Sequence, residues 1–169
     1  MGTKWDKRWS NFLLESYKKI VDFPFFNKTL PTIIKKIQTE YDSWEQDEDG
    51  HSEYIDPTSF SEIGSGGLCH VFADIIVKEL SAVGVEIYSV SSCHEQHVYT
   101  VFVIREGKNE GVYQLDIPYS TYESGAGFTW RKKENVEFDE NDFYIYLLDH
   151  NVKNLKDYTD EGFEDEYDD

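Results

Sequence analysis

A cysteine, a histidine and an aspartate are spaced along the middle of this chain in an order that suits nucleophilic chemistry. Cys69 follows the stretch Gly64-Ser65-Gly66-Gly67 and heads a run, residues 68–82, with the apolar spacing of a helix. A thiol at a helix N-terminus faces the positive end of the peptide dipole, which favours the nucleophilic thiolate. The glycines ahead of it would let a substrate backbone come close, and the Cys69 N–H could help hold an oxyanion. A thiolate nucleophile works with an imidazole base, and the imidazole works with an acceptor that fixes its tautomer. His97 opens one strand-like run and Asp116 closes the next. Each residue also has an ordinary reading: Cys69 as a small core residue, His97 as a strand-end histidine facing water, Asp116 as the start of a turn before Pro118.

The elements that must position these residues can be read around them. Residues 97–105 and 111–117 are rich in β-branched and aromatic side chains and flank the polar loop Glu106-Gly107-Lys108-Asn109-Glu110, so they are expected to pair as an antiparallel hairpin. Antiparallel pairing sets the start of one strand beside the end of the other, which brings His97 next to Asp116. Residues 85–90 read as a third strand and 143–148 as another. In the helix, Leu68, Val71, Phe72, Ile75, Ile76, Leu80 and Val83 are the expected buried positions, with Asp74, Lys78 and Glu79 toward water and Gly84 as the stop. Upstream, residues 5–21 have helical spacing, Pro24 breaks it, and a second helix is expected to start at 29–31 with Ile33, Ile34, Ile37 and Tyr41 on its apolar face. Residues 43–56 and 120–127 read as loops, and 60–63 as a short element. The expected fold class is therefore α+β: N-terminal helices and a central helix bearing Cys69, packed on an antiparallel sheet.

Composition narrows the function classes. A chain of 169 residues suits one domain, expected over residues 1–155. Residues 156–169 read as a mobile acidic tail, with eight acids and no base from Asp157 onward and too few aliphatic side chains to offset ordering entropy. A net charge of -18 opposes direct binding to nucleic acid or to an anionic membrane, and leaves a basic protein partner open. No apolar run is long enough to span a bilayer and the first residues lack a signal-peptide core, so a cytoplasmic protein is expected. No cofactor is expected. Zinc is the chemical rival, since Cys69-His70, Cys93-His94 and His97 offer ligands in two clusters, but the spacing is unlike a CxxC knuckle and no metal site is expected. Tyr119, Tyr122, Phe128 and Trp130 follow Asp116 closely and could line a cleft or pack.

Gly67-Leu68-Cys69-His70-Val71-Phe72-Ala73, then His97-Val98-Tyr99-Thr100-Val101, then Leu115-Asp116 resembles the transglutaminase-like superfamily, in which a Gly-x-Cys turn is followed by a His-aromatic strand and an Asp closing the next strand. Arylamine N-acetyltransferases are similar in residue order and in Gly66-Gly67-Leu68-Cys69, although Ser65 stands where they carry an arginine. The resemblance covers residues 64–119. It implies a papain-like fold and acyl chemistry on an amide or ester carbonyl, with a protein or peptide amide as the expected substrate: Cys69 as nucleophile, His97 as proton shuttle and Asp116 as its orienter, with the acyl-thioester passing to water or an amine. The reading from a different class is a non-catalytic acidic protein that binds or inhibits a basic partner.

Overall fold

The computed structural model of the chain describes residues 17–45, 68–92, 97–116, 122–124, 130–132 and 134–159. The expected helix over 5–16, the acidic loop over 46–56, the element at 60–63, the glycines at 64–67, Pro118, Tyr119, Phe128 and the tail past 159 lie outside the described residues. The described elements run β1 (Tyr17–Lys18), α1 (Phe26–Ser43), α2 (Cys69–Ala82), β2 (Glu86–Ser92), β3 (His97–Ile104), β4 (Gly111–Asp116), β5 (Tyr122–Ser124), β6 (Trp130–Lys132), β7 (Tyr144–Asp149) and α3 (Lys156–Thr159). The architecture is α+β, with an antiparallel sheet ordered β1-β7-β4-β3-β2 and a separate β5-β6 ribbon.

Helix α1 forms because Phe26, Leu30, Ile33, Ile37 and Tyr41 recur on one face, which is buried against the sheet. It starts earlier than residues 29–31. Phe26 N–H donates to the Phe23 carbonyl at 3.0 Å and Asn27 N–H to the Pro24 carbonyl at 3.2 Å, so the turn made by Pro24 leads straight into the helix. Pro31 then sits inside, exposed. A proline in a helix interior costs about 3 kcal/mol. Each buried side chain of the apolar face contributes about 1.5–3 kcal/mol, and there are five of them, so burial wins.

Three further expectations are corrected. Residues 17–21 do not continue an α-helix: Tyr17 and Lys18 pair with Tyr146 and Ile145, and Ile20–Asp22 form a 3-10 turn. The open edge of β7 offers backbone partners that helical spacing does not reveal. The stretch expected as a loop over 120–127 contains β5, paired to β6 with Tyr122 opposite Lys132 and Ser124 opposite Trp130. Trp44, read as part of an exposed loop, is 1 % exposed and packs on Tyr41.

The core lies between the sheet and the helices α1 and α2. Its aromatic centre is the cross-strand pair Phe102 and Tyr113, stacked at 5.1 Å, with Phe23 edge-on to both at 5.3 and 5.0 Å. The Tyr113 hydroxyl donates to the Asn109 carbonyl at 2.6 Å, and Asn109 Nδ2 donates to the Asp22 carbonyl at 2.9 Å, which ties the hairpin loop to the 3-10 turn. The opposite face of the sheet carries a smaller cluster, Val90, Val101 and Val112, covered by Leu155 and Tyr158. So the first residues of the expected tail, Lys156–Thr159, are a helical turn laid on the sheet. Asp149 holds that turn: it accepts from Asn151 N–H at 2.7 Å, Asn154 Nδ2 at 2.8 Å and the Tyr158 hydroxyl at 3.2 Å.

Two stability predictions follow from these contacts. A Cβ on Gly111 would meet Leu147 Cδ1 at 2.8 Å and the Asp149 carbonyl oxygen at 2.9 Å, where β4 bulges against β7. Gly111→Ala should therefore lower the unfolding free energy by about 1–3 kcal/mol in urea titration. The donors around Asp149, first the Asn151 N–H and then Asn154, hold its carboxyl below the usual aspartate range. A depressed folded value means this stabilisation is complete above the ordinary aspartate range and is lost as pH falls through it. Asp149→Asn should thus be less stable than wild type at neutral pH and show a smaller further loss on acidification, in urea unfolding at about pH 7 and about pH 3.

Candidate functional site

Cys69 is the first residue of α2, with Leu68 as the fully buried N-cap residue. The helical ladder opens with Phe72 N–H donating to the Leu68 carbonyl at 2.9 Å, so the first-turn donors, Cys69 N–H among them, precede it. At 100° per residue, Cys69 falls on the stripe of Phe72, Ala73, Ile76 and Leu80, all buried against the sheet. Cys69 itself is a half-buried thiol at the open end of that stripe. Val71 and Ile75 lie well around the helix from the stripe and are only partly buried, and Val83, expected inside, is 50 % exposed.

The reversal after α2 fixes where that end lies. Gly84 has φ +86°. Its N–H donates to the Ser81 carbonyl at 3.0 Å, and the Val85 N–H donates back to the Leu80 carbonyl at 3.1 Å. This pair of bonds is a Schellman closure, and the left-handed residue it needs explains the glycine. Only residues 83–85 separate α2 from β2, so the two run back to back. The 14 residues of α2 span about 21 Å. The 7 residues of β2 span about 23 Å. The N-terminus of α2, which packs along β2 and β3, therefore comes to the end of the sheet where β2 finishes.

His97 and Asp116 are at that same end. Ser92, the last residue of β2, pairs with His97, the first of β3. The β3–β4 ladder runs from Ile104 opposite Gly111 to Thr100 opposite Leu115, and Asp116 is the next residue of β4. In strand order β3 lies between β2 and β4, and α2 packs along β2 and β3, so the first turn of α2, the start of β3 and the end of β4 share this end of the sheet. Asp116 and Cys69 come from different sides. On β4, Tyr113 and Leu115 face the helices, whereas Asp116 follows Val112 by four and stands opposite Tyr144, on the face away from α2. By the same alternation position 97, in register with Tyr99 and Val101, is on the face of Asp116, so the thiol can share a centre with the other two only around the rim of the sheet.

The opposite end of the same strands carries an exposed ion pair. Arg105 makes two bonds of 2.6 Å to Glu86, and Tyr88 donates to the same carboxylate at 2.8 Å. The Arg105 guanidinium holds the Glu86 carboxyl below its ordinary range. Lys36 on α1 pairs with Glu79 on α2 across the helix layer. An open groove of about 650 Å³ runs between α1 and residues 135–138. Gln38 clasps that segment with bonds of 2.9 Å to the Val136 carbonyl and from the Phe138 N–H, and none of the three candidate residues lines the groove.

Cys93 and His94, the other potential zinc ligands, lie outside the described residues, and among the described ones no three His, Cys, Asp or Glu come together as a metal cage. No helix among the described residues is long and apolar enough to cross a membrane. One residue near the rim escaped the sequence reading. Thr100 is fully buried and its hydroxyl donates to the Leu115 carbonyl at 2.8 Å. Its signal was present as the only polar residue in the core-facing register of an apolar strand, at positions 98, 100, 102 and 104.

The shared rim can be checked in solution. A nitroxide on Cys69, in a Cys93→Ser background, should broaden the backbone amide NMR signals of His97, Val98 and Asp116 more than those of Ile104 and Gly111. Equal broadening at both ends of the hairpin would disprove the antiparallel docking of α2 on β2. Comparison with protein-family models, curated proteins and solved structures gives no match to this chain.

Proposed function

We propose that this protein is a cysteine-dependent hydrolase or acyltransferase with a transglutaminase-like, papain-related fold, acting on an amide of a protein or peptide. The observation that supports this reading most is the gathering of a helix N-terminus carrying Cys69, the start of the strand carrying His97 and the end of the strand carrying Asp116 at one rim of the sheet. The motif Gly67-Leu68-Cys69 and the strands His97-Val98-Tyr99 and Leu115-Asp116 add the resemblance to that superfamily.

In this reaction the Cys69 thiolate attacks the amide carbonyl carbon, forming a C–S bond as the C–N bond breaks. The His97 imidazolium passes its proton to the leaving amine. Water or an acceptor amine then attacks the thioester, losing a proton to His97, and the thiolate is released. Asp116 accepts from the imidazole and holds its orientation. Developing negative charge on the carbonyl oxygen is met by first-turn N–H donors of α2. The net charge of -18 favours substrates with basic flanking residues through long-range attraction.

The test is the pH dependence of iodoacetamide labelling at Cys69, with Cys93→Ser to isolate it, in the presence and absence of His97. Rapid labelling at about pH 6 that slows in His97→Ala marks a thiolate–imidazole pair. Cys69→Ala should then abolish amide turnover while leaving the urea midpoint close to wild type, because a half-buried thiol contributes little packing. A Cys69 that stays inert until the protein unfolds would sink this mechanism and favour the non-catalytic acidic partner of a basic protein.

A further inference from the structure

We infer that Thr100 is a positioning residue for the rim: its hydroxyl bond to the Leu115 carbonyl holds the strand that carries His97 against the strand that carries Asp116. This inference rests on the cysteine-enzyme reading. Two polar residues of the described chain are buried, Thr29 and Thr100, and they differ in what they bond. The Thr29 hydroxyl donates to the Phe25 carbonyl, four residues back along its own helix. The Thr100 hydroxyl crosses to a neighbouring strand, at 2.8 Å and with no exposure to water.

The place of that bond gives it meaning. Thr100 opposite Leu115 is the last rung of the β3–β4 ladder among the described pairs. Beyond it, β3 continues through Tyr99 and Val98 to His97 against β2, pairing with Val90, Ser91 and Ser92. Asp116 is held from its other side, opposite Tyr144 of β7. The two candidate residues thus belong to strands whose described pairing ends at this rung. A valine would fill the same space, since Thr and Val have the same shape, so packing does not account for the hydroxyl. Burying a hydroxyl is unfavourable unless it is bonded, and here the bond adds a side-chain tie between the two strands at the last described rung before the rim.

The experiment compares pH–rate profiles of iodoacetamide alkylation at Cys69 in the full chain, carrying Cys93→Ser, for otherwise wild-type protein and for His97→Ala, Thr100→Val and Thr100→Ser. Thr100→Val should slow labelling at about pH 6 by about three- to tenfold, the weight of one hydrogen bond, and Thr100→Ser, which keeps the hydroxyl, should restore it. Rates are taken well below each variant's unfolding midpoint, so lost stability alone does not move them. Where Thr100→Val does not fold, Thr100→Ala, which removes the hydroxyl without adding bulk, is read in the same way. A wild-type profile in the valine or alanine variant, with His97→Ala shifted, overturns the role of Thr100 and leaves the cysteine–histidine reading standing. Identical profiles for wild type and His97→Ala overturn that reading and the role of Thr100 with it.

Discussion

The three-residue reversal between α2 and β2 is the constraint from which the candidate site follows. A helix and a strand of matched length, joined by so short a link, have one compact arrangement: back to back, with the free end of the helix over the far end of the strand. Gly84 makes the link feasible by taking a left-handed conformation that closes the last turn through the Ser81 and Leu80 carbonyls. Everything at the rim then depends on sheet order. Once β2 pairs with β3, and β3 with β4, the start of β3 and the end of β4 are carried to the same edge as the first turn of α2.

The packing energy is concentrated elsewhere. Phe23, Phe102 and Tyr113 form the aromatic centre, and the Tyr113 hydroxyl reaches toward the hairpin loop rather than the rim. Burial of that phenol pushes its proton affinity up, which keeps it a neutral hydrogen-bond donor. The Glu86–Arg105 pair sits at the loop end as well, too exposed to add much stability but able to hold the two strands in register. At the rim end of the same strands the described contacts include the buried tie of Thr100 to Leu115 and the pairing of each strand with its outer neighbour.

What was legible in the sequence is what local physics decides. The helix from Cys69 to Ala82, its stop at Gly84 and the hairpin around residues 106–110 follow from apolar spacing, a left-handed glycine and a polar loop between two β-branched runs. What was not legible depends on distant partners. Tyr17 and Lys18 keep helical spacing on paper and become strand because β7 presents an edge to them. Phe26 opens α1 because it is fully buried among Phe25 and Phe102, contacts no local signal announces. Val83 fits the apolar stripe but lies past the last helical turn, where the chain has already left the core. At the candidate site, the positions of Cys69, His97 and Asp116 could be read from topology, whereas the face on which Asp116 stands required the register of β4 against β7.

Alternation along the strands explains why chemistry would be placed at their ends. A titratable side chain in the core-facing register of β3 or β4 would lose its hydration, a cost of several kcal/mol for a charge without a partner, and those positions hold Val98, Thr100, Phe102, Tyr113 and Leu115. At a strand end the backbone can deliver a polar group to the rim from either face while the interior stays apolar. Cys69 meets the same boundary from the helix side. A thiol chosen only for packing would gain most at the middle of the buried stripe, where α2 has Ala73 and Ile76, both nearly inaccessible. It stands instead in the first turn, where burial is partial and the field of the helix terminus is strongest, a term of about 0.3–1 kcal/mol that falls away within that turn.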